Sequence, residues 1–235
     1  MIVSIIIPAF NETATIAATL RVLQPLREHG HEVIVVDGGS RDGTPRVAAP
    51  FADRVLVAPR GRARQMNAGA AVATGAVLWF LHADTLAPAD ATEQIALARA
   101  RGYGWGRFDV RLTGRKRLLR VVAWAMNRRS CLSGIATGDQ GLFVNRLLFE
   151  ALGGYPDQPL MEDVELSRRL KRRGRPACLP GPLVTSARRW ERDGVWSTIV
   201  LMWRLRLAYF CGADARTLQR RYERGESPPR RQNRL

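Results

Sequence analysis

The chain has 235 residues, 46% hydrophobic and 25% charged, which excludes global disorder and allows a buried core without stapling. Its net charge of +16 is uneven: residues 1–98 hold 8 basic and 9 acidic side chains, residues 99–235 hold 29 and 12, so an anionic partner is expected of the second part. Cys131, Cys178 and Cys211 are far apart with no CxxC, which excludes a zinc site of the usual spacing, argues against a disulfide framework and suits a reduced, cytoplasmic setting.

In chain order, Val3 to Ile7 is a β-branched run stopped by Pro8 and predicts a buried strand. The apolar start lacks a basic leader and runs into Asn11-Glu12, so it is not read as a secretory signal. Asn11 to Leu26 has helical character. Glu32 to Val36 is a second strand, ending in Asp37-Gly38-Gly39-Ser40. A helix opens at Asp42-Gly43-Thr44, with Thr44 as cap and Pro45 in its first turn. Arg54 to Ala58 (strand), Arg62 to Ala73 (helix) and Ala76 to Leu81 (strand) follow, the last ending at His82-Ala83-Asp84. This alternation predicts an α/β, Rossmann-like, mostly parallel sheet flanked by helices.

Beyond residue 99 the pattern changes. Phe108 to Leu112 alternates like a strand with one wet face, and Arg117 to Arg129 and Glu162 to Arg173 read as helices. Trp196 to Tyr209 is an apolar helix, too short and too arginine-rich to span a bilayer. Leu218 to Arg224 is a last short one. The organisation expected is 1–98 and 99–190 as two halves of the same domain, 191–225 as a helical C-terminal appendage and 226–235 as a disordered tail.

Ligands of such sheets bind beyond the carboxyl ends of the strands, where this chain places Asn11-Glu12, Asp37 and His82-Ala83-Asp84. The spacing of these clusters resembles the family 2 glycosyltransferases of GT-A fold over residues 1 to about 175. Pro8-Ala9-Phe10-Asn11-Glu12 resembles the loop after the first strand, and Asp37-Gly38-Gly39-Ser40-Arg41-Asp42-Gly43-Thr44 the aspartate-rich segment. Arg64-Gln65-Met66-Asn67-Ala68-Gly69 resembles the Arg/Asn/Gly helix, His82-Ala83-Asp84 stands where the family has Asp-x-Asp, and Glu162-Asp163 resembles the motif that supplies the base. Leu81 to Thr85, Gly138-Asp139-Gln140-Gly141 and Thr185 to Glu191 further resemble a bacterial radical-SAM/selenodomain-associated subgroup. Some of its relatives are carotenoid-acid glycosyltransferases, which implies a lipophilic acceptor.

The resemblance implies transfer of a sugar from a nucleotide-sugar donor, a UDP-sugar favoured, to a hydroxyl or carboxyl acceptor with inversion and help from Mg2+ or Mn2+. The donor residues it implies are Pro8, Phe10, Glu12, Asp37, Arg64, Asn67 and Asp84. Asp84 is the implied metal ligand. His82 is open between a second ligand, a phosphate contact and a structural residue. Asp139, Gln140 and Glu162 are the acceptor candidates. A carboxylate beside the acceptor hydroxyl can take its proton as it attacks, and Asp163 is the candidate base. Two bland readings stand beside these: Asp37 caps its own turn, and Glu162 and Asp163 only place negative charge at a helix start. Arg188-Arg189-Trp190 lacks the glutamine of the motif that ends processive members, which argues against polymerisation.

Two other classes fit the residues less well. A nucleotidyltransferase is expected to show a GxGxR-type loop after the first strand, and Pro8 to Glu12 is not one. A nucleic-acid-binding protein explains the charge but not the neutral, carboxylate-bearing first part, so no nucleic acid is expected. Trp190, Trp196 and Trp203 stand among Arg188, Arg189, Arg192, Arg204 and Arg206. That mixture fits an anionic membrane surface, such as the inner face of the plasma membrane, or else a packed helix or a homodimer interface.

Overall fold

The computed structural model describes residues 1–114 and 116–224, so the expected tail 226–235 lies outside the described residues. One sheet runs in the order β3-β2-β1-β4-β7-β6-β8-β5. Strands β1 (Val3–Ala9), β2 (Glu32–Asp37), β3 (Arg54–Val57) and β4 (Val77–Phe80) are mutually parallel, with Ile6 level with Ile34 on one side and Phe80 on the other. Their carboxyl ends therefore open on one edge. Beyond them lie β7 (Phe143–Asn145), antiparallel to both neighbours, then β6 (Trp105–Leu112), β8 (Ala177–Thr185) and the two-residue β5 (Thr85–Leu86).

The β-branched runs are buried on both faces, as parallel strands covered by helices should be. Ile5, Ile7, Val33, Val35 and Trp79 face one core, packed by α1 (Ile16–Glu28), α4 (Ala91–Ala100) and α5 (Arg117–Ser133). Ile6, Ile34, Val36, Leu78 and Phe80 face the other, packed by α3 (Arg62–Val72), α6 (Arg146–Ala151) and α7 (Glu162–Lys171). Each such side chain contributes about 1.5–3 kcal/mol by leaving water. At Gly69 α3 touches the sheet so closely that a Cβ would lie 2.5 Å from Ile6 Cγ2.

Several expectations are adjusted. The first helix starts at Ile16, not Asn11, because residues 11–15 form a loop tied to the segment after β2. The short α2 (Thr44–Ala48) has Gly43, at φ +86°, as its cap residue, with Pro45 in its first turn as expected. Strand β8 was hidden by Pro180, Gly181 and Pro182. The sheet accommodates them by a register shift, Phe108 level with Leu179 but Val110 with Leu183, so the extra residues bulge out. The cysteine expectation is overturned: Cys131 and Cys178 form a disulfide joining the last turn of α5 to the start of β8, their Cα atoms 5.9 Å apart. A separation of 47 residues carries no signal of that neighbourhood; sheet order creates it.

The C-terminal helices α8 (Arg188–Asp193), α9 (Val195–Phe210) and α10 (Ala215–Arg224) follow β8. Leu205 of α9 and Leu218 of α10 form a third, smaller core with Ile135, Met161 and Val164. The appendage thus packs directly on the start of α7, which carries Glu162 and Asp163.

Candidate active site

The loops after β1 and β2 are laced together. Asn11 N donates to Ser40 Oγ at 2.8 Å, Arg41 N to Asn11 Oδ1 at 3.0 Å and Glu12 N to Thr44 Oγ1 at 2.9 Å. Asp42 accepts from Thr44 and Thr13, and these bonds hold its carboxyl well below the usual range. Asn11 takes the left-handed conformation at φ +54°, and Met161, just before Glu162, does so at +64°. Non-glycine residues rarely sit there, and these two flank the carboxylates of opposite sides of the site. Asp37 is buried and accepts from Gly39 N (2.8 Å), Ser40 N (2.7 Å) and Ser40 Oγ. It caps its own turn, the bland role weighed above. Pro8 lies within β1 level with Val36, and Arg60 lies over the Phe10 ring, 4.1 Å from its centroid.

Helix α3 contributes through its backbone ties. Gln65, buried, donates to Ala9 O (2.9 Å) and Val36 O (2.8 Å), pinning the ends of β1 and β2. Asn67 bonds both backbone groups of Tyr155, Nδ2 to O at 2.8 Å and Oδ1 from N at 2.9 Å. Arg64 holds Asp157 with a two-pronged pair at 2.7 and 3.0 Å. Arg64 and Asn67 thus engage the 155–157 loop.

At the end of β4, Asp84 and His82 diverge. Arg188 Nη2 lies 3.0 Å from Asp84 Oδ2 and 3.2 Å from Glu12 Oε2, so two carboxylates from different strand ends meet on one cation. His82 Nδ1 lies 3.3 Å from Asp139 Oδ1, and its Nε2 faces Gly138 so closely that a Cβ there would be 2.6 Å away. Both ring nitrogens are turned to that segment.

The turn at Gly138–Gln140 carries the line onward to α7. Gly138 N donates to Asp163 Oδ2 and Val164 N to Asp163 Oδ1, both at 2.7 Å. Gln140, expected at the acceptor, is instead fully buried; its Nε2 donates to Ser130 Oγ at 2.8 Å and its Oε1 accepts from Thr137 N at 3.2 Å, so it shapes the turn. Glu162 is buried, and loss of hydration, reinforced by the charge of Asp163, pushes its carboxyl up to about 7 against the pull of Arg62 and His82. Asp139 resists the same upward push of burial, because His82, Arg62 and Arg206 hold it below the usual range. The hydroxyl of buried Tyr155 is raised by burial and by both acids of α7.

Arginines complete the centre. Loss of hydration works against the charge of Arg62, and the charges of Glu162, Tyr222, Asp139 and Asp163 more than offset it, raising the guanidinium above its ordinary value. Arg129 of α5 and Arg206 of α9 are half-buried and approach Asp163 from the other side. In the sequence Arg188 and Arg206 stand among arginines that fit a membrane surface, a packed helix or a homodimer interface alike. In an arginine-rich second part no local pattern separates inward from outward side chains; only the packing does so.

The donor set suits a hard divalent ion in part. Glu12 and Asp84 offer carboxylate oxygens that already converge on a cation, whereas among the described residues no group of three His, Cys, Asp or Glu side chains could hold a metal by itself. Further oxygen ligands, from water or a bound ligand, would have to complete such a site.

An α/β sheet that gathers acidic loops at the carboxyl ends of β1, β2 and β4, faced by a second carboxylate pair, has the kind of sheet-end site at which α/β proteins bind ligands. Residues 4–126 match the family "Glycosyl transferase family 2", and the chain belongs to the family 2 glycosyltransferases, enzymes of GT-A fold. It is 27% identical over 198 residues to the beta-monoglucosyldiacylglycerol synthase of Trichormus variabilis, covering 72% of this chain and 41% of that one. It is 32% identical over 165 residues to an uncharacterised glycosyltransferase of Mycobacterium tuberculosis, covering 65% and 62%. The fold is similar to that of residues 1–349 of Staphylococcus aureus TarS, with TM-score 0.64, 15% identity and coverage of 86% and 66%. It is likewise similar to the mannosyltransferase PcManGT from Pyrobaculum calidifontis, solved with GDP-Man and Mn2+, with TM-score 0.60, 24% identity and coverage of 78% and 56%. The chain spans less than half the length of the first two curated relatives it matches.

Proposed function

We propose that this enzyme transfers a hexosyl group from a nucleotide sugar, a UDP-sugar favoured, to an acceptor hydroxyl with inversion at the anomeric carbon. The observation that carries the reading is the convergence of Glu12 and Asp84 on one cation, linked through His82 and the 138–139 turn to Asp163. Glu12 and Asp84 would hold Mg2+ or Mn2+, which supplies positive charge to the diphosphate as it departs. Arg188, already at those carboxylates, is free to turn to the phosphates. Asp163, fixed by two backbone N–H groups, takes the acceptor proton as the oxygen attacks and the bond to the diphosphate breaks. Asp139 and Glu162 line the acceptor side. Arg64 and Asn67 serve the donor side by holding the 155–157 loop, and residues 1–98, 99–190 and 191–225 act as donor half, acceptor half and appendage.

We further infer a membrane-facing role that suits a lipophilic acceptor and the subgroup likeness. Trp196, Val200, Trp203, Leu207 and Phe210 are all more than half exposed, and their spacing of four and three residues places them on one stripe of α9. Arg204 and Arg221 line the hollow beside Leu207 and Cys211. An apolar stripe with adjoining arginines suits an anionic bilayer surface, where the stripe lies in the interface and does not span it. Among the described residues no helix is long and apolar enough to cross a membrane.

Metal-dependent hydrolysis of UDP-sugars tests the donor reading without an identified acceptor. Release of UDP that requires Mn2+ or Mg2+ is expected. No nucleotide binding or release with any donor, with or without metal, would overturn it.

A further inference from the structure

We propose that Arg129 and Arg206 form an anion subsite beside Asp163, so that the acceptor carries an acidic group, phosphoryl by preference, next to the hydroxyl it offers. The inference rests on the transfer reading above and names the acceptor class of the same site.

The two side chains come from different elements, Arg129 from the last turns of α5 and Arg206 from the middle of α9. Leu205, the residue before Arg206, packs with Met161 and Val164 on either side of Glu162-Asp163, and Ser130, the residue after Arg129, accepts from Gln140 in the turn that holds Asp163. Among the described residues neither guanidinium is within ion-pair distance of a carboxylate, and Arg129 Nη2 is buried with no hydrogen-bond partner. The nearby acids are already engaged: Asp163 by Gly138 N and Val164 N, Asp139 by His82. Glu162 is largely uncharged below neutral pH, so it offsets little.

Two half-buried like charges without partners are costly, and folded proteins rarely keep them without a bound counter-ion. Burial and mutual repulsion work against the charged form of Arg129, which is lowered to about 10, and burial acts the same way on Arg206. Paired guanidiniums match the several oxygens of a phosphoryl group better than the two of a carboxylate. The diphosphate of the donor has its own partners at the other end of the line, around Asp84, Glu12 and Arg188. An anion held by Arg129 and Arg206 instead faces the base, where it would orient the acceptor and restrict which hydroxyl reaches Asp163.

The test titrates sulfate, as a stand-in for a phosphoryl group, and acetate into the full chain saturated with UDP and Mg2+, followed by calorimetry. One sulfate site is expected in the wild type, weakened tenfold or more by Arg129→Gln and by Arg206→Gln, partly retained by Arg129→Lys and Arg206→Lys, with UDP affinity within about twofold throughout. Stronger acetate than sulfate binding that shows the same losses would keep the subsite and make its anion a carboxylate. Sulfate binding unchanged by either glutamine variant, or absent from the wild type, overturns the inference. Equal losses of UDP and sulfate also overturn it, because the arginines would then belong to the donor diphosphate. A wild type that takes up sulfate through these arginines yet binds no nucleotide would sink the transfer reading and leave the anion subsite standing. The lysine variants keep the test decisive should a glutamine variant fail to fold.

Discussion

Arg188 Nη2 lies 3.0 Å from Asp84 Oδ2, a contact between residues 104 positions apart that brings the first turn of α8 onto the end of β4. The same nitrogen reaches Glu12, so the start of α8, just before the C-terminal appendage, lies over the site proposed for the donor. A guanidinium there neutralises two carboxylates that otherwise repel one another, and it does so where a diphosphate and its metal are proposed to sit. Loading the site must therefore move Arg188 off its carboxylates.

Asp84→Ala is expected to abolish metal-supported UDP binding with the fold intact. Asp84 sits on a loop at the sheet edge and packs no core, so its loss leaves no cavity. Arg188→Gln should act differently: Mn2+ affinity in the absence of nucleotide rises, because the competing cation is gone, while UDP affinity falls. Calorimetric titration of each variant with Mn2+ and with UDP separates the two. Metal-supported UDP binding unchanged in Asp84→Ala would remove Asp84 from the site.

Asp163→Asn should keep donor binding and lose transfer by about 10²–10⁴-fold, the usual worth of a positioned base. The amide keeps one carbonyl oxygen to accept from Gly138 N, so the turn at 138–140 is retained, while the bond from Val164 N and proton acceptance are lost. Single-turnover assays with donor in excess provide the measurement. Near-normal turnover would return Asp163 to the role of a helix-start charge.

How much of this site was legible in the sequence depends on which atoms a motif specifies. The strand ends were legible, because a β-branched run halted by Pro8 or Asp37 marks both an element and its exit, and the sheet then fixes where the exits gather. The partners of the motif residues were not. His82 was open to a metal role and turns to Asp139; Gln140 was placed at the acceptor and is buried; Asp37 caps its own turn. These outcomes depend on β7, β8 and the 138–140 turn, which bring distant residues together by register. Strand β8 was concealed by its prolines, and with it went the position of Arg188, three residues after the last level pairing of Thr185 with Leu112 and Thr85.

Glu162 makes stability fall with rising pH. Its carboxyl titrates near 7 in the folded chain against an ordinary 4.5, so below about 4.5 it is protonated in both states and folding carries no penalty from it. As pH rises from there to about 7 the unfolded chain ionises first, and the native state loses on the order of 3 kcal/mol, levelling off above 7. Glu162→Gln cannot ionise and should remove this slope. Thermal melts of both proteins between pH 5 and 8 in the absence of nucleotide test it. Parallel curves for the two would show that Glu162 is not the group responsible.

The α9 stripe predicts where the enzyme works. Trp196 and Trp203 are 70% and 73% exposed, apolar surface left facing water, with Arg204 on the same helix and Arg221 beside it. The full chain should float with anionic vesicles and much less with neutral ones. Added salt should release most of it, because attraction between surface charges is screened over about 8 Å at physiological ionic strength, and leave a remainder held by the inserted aromatics. Arg204→Gln with Arg221→Gln should diminish the salt-sensitive part; Trp196→Ala with Trp203→Ala should diminish the remainder. None of these four side chains belongs to a core cluster, so the variants should melt close to the wild type. A homodimer through α9 is the competing outcome. It predicts a doubled mass in sedimentation at low salt that Trp203→Ala reduces, and no flotation with either vesicle. In that case the stripe is an interface between copies, and the lipophilic acceptor loses its physical support.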